Sequence, residues 1–193
     1  MRRLLMYLLL LSTSVLARPV IVGSKKFTES VILGEVARLA LLRDGHKSEH
    51  KQEFGGTRIL WNALLSGDID LYPEYSGTVE EELLQSKSSG LFNLKEQLQK
   101  KGIGLIGPLG FNDTYAVGMT RPLAEKLQIK TLSDLARHPE LKIGWSSEFR
   151  QRKDGWPGLR ATYKMKPQSV KGLDHDVAYR ALSQGDIDVV DLY

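Results

Sequence analysis

Residues Trp61 to Leu71 read WNALLSGDIDL, and Tyr179 to Val189 read YRALSQGDIDV. Each stretch is an aromatic residue, a short apolar helix ending at glycine, an Asp-Ile-Asp step and the start of a strand. In both, a tyrosine follows the glycine at the same offset, Tyr75 after Gly67 and Tyr193 after Gly185. The echo predicts two similarly built α/β lobes, each delivering a tyrosine to the end of a strand. Ligands of open α/β sheets bind at the carboxyl ends of the strands. Two such lobes face to face describe a clamp.

Outward from the first copy, Pro19 to Val22 reads as a strand and Gly23-Ser24-Lys25-Lys26 as a turn. Thr28 can cap a helix whose apolar residues Val31, Ile32, Val36, Leu39 and Leu42 recur at helical spacing. Phe27, before that cap, is placed to pack back on the helix as a staple, and Gly45 ends it. His46 to Phe54 reads as an exposed strand, and Gly55-Gly56-Thr57 opens the helix that stops at Gly67. Ile69 to Leu71 is the next strand. Strands alternating with helices argue a βαβ sheet with parallel pairing. Val79 to Leu84 and Leu94 to Lys101 read as helices around a loop at Ser86 to Gly90, and Gly102 to Gly107 as a strand. The pattern restarts at Phe111. Thr114 to Met119 and Leu141 to Gly144 are then strands. Pro122 to Leu127, Leu132 to Ala136, Trp156 to Tyr163 and Asp174 to Gly185 are helices. The restart puts lobe 1 at 18–109 and lobe 2 at 110–193.

Residues 1–17 stand apart. Arg2 and Arg3 precede the apolar run Leu4 to Leu11, and Val15-Leu16-Ala17 offers small residues for cleavage. This is the pattern of a secretory signal peptide, its run shorter than the roughly 20 residues of a membrane span. The mature chain is therefore expected to be exported to the periplasm. It has no cysteine, so packing must hold it together without disulfides. The net charge of +4 includes Arg2 and Arg3, and what remains is too balanced for a nucleic-acid partner. The RQRK stretch at Arg150 to Lys153 reads as a solvated turn.

Catalytic patterns are weak. Gly23-Ser24-Lys25 lacks the spacing of a phosphate loop, and Gly144-Trp145-Ser146-Ser147 lacks the second glycine of a nucleophile elbow. His46 and His50 sit in the hydrophilic HKSEH and read as solvated, with no spacing that supplies further zinc ligands. The pairs Asp68/Asp70 and Asp186/Asp188 sit at strand entries, where capping a turn is a better use than acid–base work. No cofactor and no metal are expected. The tyrosines differ: Tyr75, Tyr115 and Tyr193 each lie at or beside a strand. Their ring faces attract a cation with no N–H to offer by about 1–2 kcal/mol per desolvated contact.

The stretches IVGSKKFTESVILGE, FGGTRILWNALLSGDIDLYPEYSGT, GFNDTYAVGM, RKDGWPGL and ALSQGDIDVVDLY resemble the substrate-binding proteins of ABC importers for glycine betaine, choline and carnitine. The resemblance covers the mature chain in order, and Gly55 to Thr78 is its most specific part. It implies a two-lobed, hinged α/β periplasmic binding protein of type II that does no covalent chemistry. The ligand would be a quaternary ammonium compound in a box of tyrosines, and the partner an ABC permease in the inner membrane. Such a subunit is expected to act as a monomer. By the resemblance Tyr75, Tyr115 and Tyr193 are box residues, Thr78 offers a hydroxyl to the ligand carboxylate, and Lys25 and Arg152 supply positive groups for it. Lys26 is the alternative to Lys25, and Ser30 stands where relatives carry glutamine. Family members continue past Tyr193, so the second lobe and the segment returning to the first are expected to be incomplete here. A non-functional remnant and an enzyme on the same fold are the competing readings.

Overall fold

The computed structural model describes residues 18–86 and 90–193; the leader expected at 1–17 and most of the loop expected at Ser86 to Gly90 lie outside them. In the first half, β1 (Val20–Lys25) is followed by α1 (Thr28–Arg43), β2 (Ser48–Gly55) and α2 (Thr57–Ser66). Then come a single turn α3 (Ser76–Thr78), π-helical turns at Val79–Leu84, and α4 (Leu91–Gln99). β1 and β2 pair in parallel, as the βαβ reading requires, and Leu71 bridges to Val22 on the other side of β1. Ile69 to Leu71 thus contributes a single bridge rather than a full strand. Gly102 to Gly107 forms no strand: its glycines favour turns, and Ile106 is 93% exposed with no face to pack on.

The second half runs β3 (Ala116–Met119), α5 (Arg121–Leu127), α6 (Leu132–Leu135), β4 (Lys142–Ser146), α7 (Ser147–Gln151) and α8 (Trp156–Tyr163). It ends with β5 (Ser169–Leu173), α9 (His175–Gln184) and β6 (Val189–Leu192). Its sheet has the order β3-β6-β4-β5, with β4 parallel to both neighbours and β3 antiparallel to β6. The core of this half gathers Leu135, Ile143, Trp145, Phe149, Trp156 and Val189, with Trp145 fully buried.

α1 turns the opposite way from its apolar periodicity. Ser30 and Gly34 are buried, whereas Ile32, Val36, Leu39 and Leu42 are exposed. The cause lies at Gly34, where any Cβ would run into the His50 ring of β2. A helix can approach a strand closely along small residues, and here that close approach decides the rotation. Phe27, buried before α1, meets the edge of Tyr193 at a centroid distance of 5.2 Å.

The two echoes fold alike in detail. Gly67 and Gly185 end their helices in the left-handed region at φ 80° and 77°, which glycine adopts without strain. Ile69 and Ile187 are both 1% exposed. Asp70 accepts the Ile21 N–H at 2.7 Å and returns its own N–H to the Ile21 carbonyl at 2.7 Å. Asp188 does the same with Lys142, at 2.8 and 2.7 Å. The aspartates therefore clip each helix-to-strand turn to the start of the neighbouring strand, which is the structural use expected of them. Even the strand glycines match: a Cβ at Gly23 would lie 2.8 Å from Ile69 Cδ1, and one at Gly144 2.6 Å from Ile187 Cδ1.

Removing either clip leaves a half-buried N–H without its acceptor. Asp70→Ala and Asp188→Ala should each cost about 1–2 kcal/mol, read as similar drops in the urea midpoint. A loss confined to one of the two would break the equivalence of the turns.

Candidate functional site

The site lies where the two halves meet, and it is built from strand ends and helix starts. Lys25, last in β1, is 3% exposed; its backbone N–H is held by Ser30 Oγ at 2.8 Å and its ammonium by Glu74 Oε1 at 2.7 Å. Lys26 is exposed, which separates the two lysines. Ser30 anchors the backbone of Lys25, so its short hydroxyl acts one step back from any ligand. From the second half, the Glu148 carboxylate comes within 3.7 Å of Lys25 Nζ and accepts the Thr57 hydroxyl.

Arg152 is 4% exposed rather than part of a solvated turn. Its Nη1 donates to Thr78 Oγ1 at 2.8 Å, and two further guanidinium nitrogens grip Asp154 at 2.9 and 2.6 Å. Its Cζ stands 5.3 Å from the Tyr115 ring centroid. The halves are thus tied in both directions: the Glu148 carboxylate of the second half accepts the Thr57 hydroxyl and pairs with the Lys25 ammonium, and the Arg152 guanidinium donates to the Thr78 hydroxyl of the first.

The rings gather at the same junction. Tyr115 and Tyr193 meet edge to face at 5.0 Å, Tyr115 leans on Phe149 at 5.0 Å, and His175 stacks on Tyr193 at 4.1 Å. Tyr75 joins through Lys25, whose Nζ lies 6.0 Å from its ring and 5.9 Å from that of Phe27. The Tyr75 hydroxyl donates to Glu29 at 2.5 Å, and no direct ring contact between Tyr75 and Tyr115 or Tyr193 occurs among the described contacts. Burial pushes the hydroxyls of Tyr75, Tyr115 and Tyr193 well above the ordinary tyrosine range, so all three rings stay neutral. Burial likewise raises the Glu74 and Asp113 carboxyls, Asp113 further through Glu29 beside it. The sequence reading missed Phe27 as a site residue together with Glu29, Glu74, Asp113, Glu148 and His175. Glu74 stands beside Tyr75 in PEYSG and was within reach; Glu148 carries no local signature.

His50 is a correction. Its side chain is 2% exposed, with Nε2 2.9 Å from Ser24 Oγ and Nδ1 3.2 Å from Glu35. Glu35 can only accept as a carboxylate, so Nδ1 carries the hydrogen. The Ser-His-Glu chain has the contacts of a nucleophile and its base. Ser24 is 0% exposed and also accepts the Glu53 N–H at 3.3 Å. No substrate carbonyl reaches a hydroxyl so enclosed. The chain is a tether joining β1, α1 and β2 beneath Lys25.

The arrangement of two α/β halves closing on a ring-lined junction is that of a periplasmic binding protein. A family model described as the substrate binding domain of an ABC-type glycine betaine transport system matches residues 18–193, and the chain belongs to that family. It is 32% identical over 184 residues to the Helicobacter pylori ergothioneine transport permease and binding protein EgtU, covering 91% of this chain and 33% of that one. It is 28% identical over 185 residues to the glycine betaine-binding protein YehZ of Escherichia coli, covering 87% of this chain and 61% of YehZ. The chain therefore spans only a third to about three fifths of these relatives. A solved glycine betaine/carnitine/choline ABC transporter structure superposes with a TM-score of 0.65 at 27% identity, over 89% of this chain and 67% of that one. Ligand-free YehZ superposes with a TM-score of 0.58 at 26% identity, over 92% of this chain and 70% of that one.

The tether makes a pH prediction. Hydrogen bonds from Arg38, and then from His50, hold the Glu35 carboxyl down at about 2 from its ordinary 4.5. A depressed carboxylate stabilises the fold above its unfolded pKa and loses that contribution as pH falls through the folded value. Glu35→Gln should therefore lose less stability than the parent between about pH 5 and about pH 3, compared by urea midpoints at both.

Proposed function

We propose that this chain is the periplasmic substrate-binding subunit of an ABC importer, with lobe 1 at 18–109 and lobe 2 at 110–193, exported through a leader at 1–17. It takes a quaternary ammonium compound between the lobes and passes it, as a monomer, to the permease in the inner membrane. The observation that supports this is the run of rings Phe27, Tyr193 and Tyr115 at the junction, with Tyr75 joined to it through Lys25. A methylated ammonium has no N–H, so it needs ring faces rather than acceptors. Primary amines would leave N–H groups unpaired among rings, at about 1–3 kcal/mol each. Lys25, Arg152 and Thr78 form the polar end, toward which an acid tail would extend. Glycine betaine, choline and carnitine share the head that the rings suit, and the named relatives support ligands of this kind.

The ring faces should matter more than the hydroxyls. Tyr115→Ala should weaken binding of a trimethylammonium ligand by roughly 5- to 30-fold, the equivalent of about 1–2 kcal/mol, and Tyr115→Phe by much less. Equal losses in calorimetric titrations of the two variants would remove the cation–ring account.

A further inference from the structure

Lys25 carries one positive charge and faces two acids of the protein itself. Glu74 takes its ammonium at 2.7 Å, and Glu148 stands at 3.7 Å from across the junction while accepting the Thr57 hydroxyl. Glu74 is nearly buried, its side chain 9% exposed, and its Oε2 has no hydrogen-bond partner among the described residues. Arg152 is also met, by both oxygens of Asp154 and by Thr78. The cations that would receive a ligand's acid tail are thus already matched by carboxylates.

Glu148 occupies the critical place. A carboxylate seated between a buried ammonium and a hydroxyl is what the tail of a betaine would present to the same two groups. A ligand carboxylate reaches Lys25 only by displacing Glu148 or by lying beside it, and like charges at a few ångströms repel strongly away from water. The same acid faces the rings. After burial, Glu148 is the next influence raising the hydroxyls of Tyr115 and Tyr193, so its field reaches the place where the ammonium head would lie. There its charge is attractive.

We propose that Glu148 is a specificity-determining residue that draws in the ammonium head and repels a carboxylate tail, so that methylated ammonium compounds without an acid group are favoured. This rests on reading the junction as a quaternary-ammonium site and narrows the ligand class of that site.

The test is a pair of calorimetric titrations, with choline and with glycine betaine, on the full chain and on Glu148→Gln. The parent should bind choline more tightly. The variant should raise the ratio of betaine to choline affinity by roughly tenfold or more, through both weaker choline and stronger betaine binding. Glu148→Asp withdraws the charge from Lys25 without abolishing it, should shift the ratio the same way by a smaller factor, and decides the matter if the glutamine variant lacks a cooperative melt. A ratio that stays within about twofold of the parent's, or moves toward choline, overturns the role of Glu148. A parent that prefers betaine overturns the inference alone. A folded parent that binds neither compound overturns the quaternary-ammonium reading and takes the inference with it.

Discussion

A charge removed from water must be paired, and this constraint organises the junction between the two halves. Lys25 and Arg152 are 3% and 4% exposed, and an isolated ion so placed would cost several kcal/mol. Lys25 finds one carboxylate at home and another across the junction; Arg152 finds Asp154 nearby and Thr78 across it. Each cation is therefore bound to the closeness of the halves. Opening the junction would return the cross-junction partners to water, where such pairs contribute little. The contact between the halves rests on these groups and on the edge-to-face rings of Phe27, Tyr193 and Tyr115.

Much of the fold was legible because the echo repeats a local grammar. A helix ended by left-handed glycine, an isoleucine for the core and an aspartate that clips the next strand are all short-range decisions, and each recurs at Gly67 and at Gly185. The parallel β1-β2 pair and most helix boundaries follow from the same kind of signal. What failed was orientation and distance. Helical periodicity located α1 but could not show that Gly34, by admitting His50, would turn Ile32, Val36 and Leu39 outward. HKSEH looked solvated by composition; the His50 side chain is drawn in by Ser24 and Glu35 from two other elements. The strand Ser169–Leu173 was overlooked because its burial pattern is half-exposed, with Lys171 and Gly172 outside, so no apolar run announces it.

The candidate site divides in the same way. Tyr75 and Tyr193 follow from the echo, whereas Thr78 and Lys25 were named only through the family resemblance; the sequence read Lys25 in a turn, and the structure makes it the last residue of β1. The acids that oppose the cations were not legible, because their meaning is relational. Glu148 is an ordinary acid in the first turn of a five-residue helix until Thr57 and Lys25 face it from the other half. Arg152 read as a solvated turn by composition, and its burial depends on Thr78, 74 residues away in sequence, and on the Tyr115 ring as well as on nearby Asp154.

The equivalence of the two turns also shows where the halves were made to differ. Counting from the clipped residues, Ile21 corresponds to Lys142 and Lys25 to Ser146, while Tyr75 corresponds to Tyr193. In the first half the strand-end slot holds a buried ammonium. In the second the same slot holds a hydroxyl that, with its own N–H, is fixed to Asp191 at 2.6 and 2.7 Å. A second buried ammonium in this slot would need a further partner acid or bear the cost of an unpaired buried charge. A neutral serine avoids that need, and Glu148, two residues further on, supplies the opposite sign to Lys25. The repeated scaffold thus sets positions, and the departures from repetition give the junction its polarity, with the Lys25 ammonium of the first half facing the Glu148 carboxylate of the second.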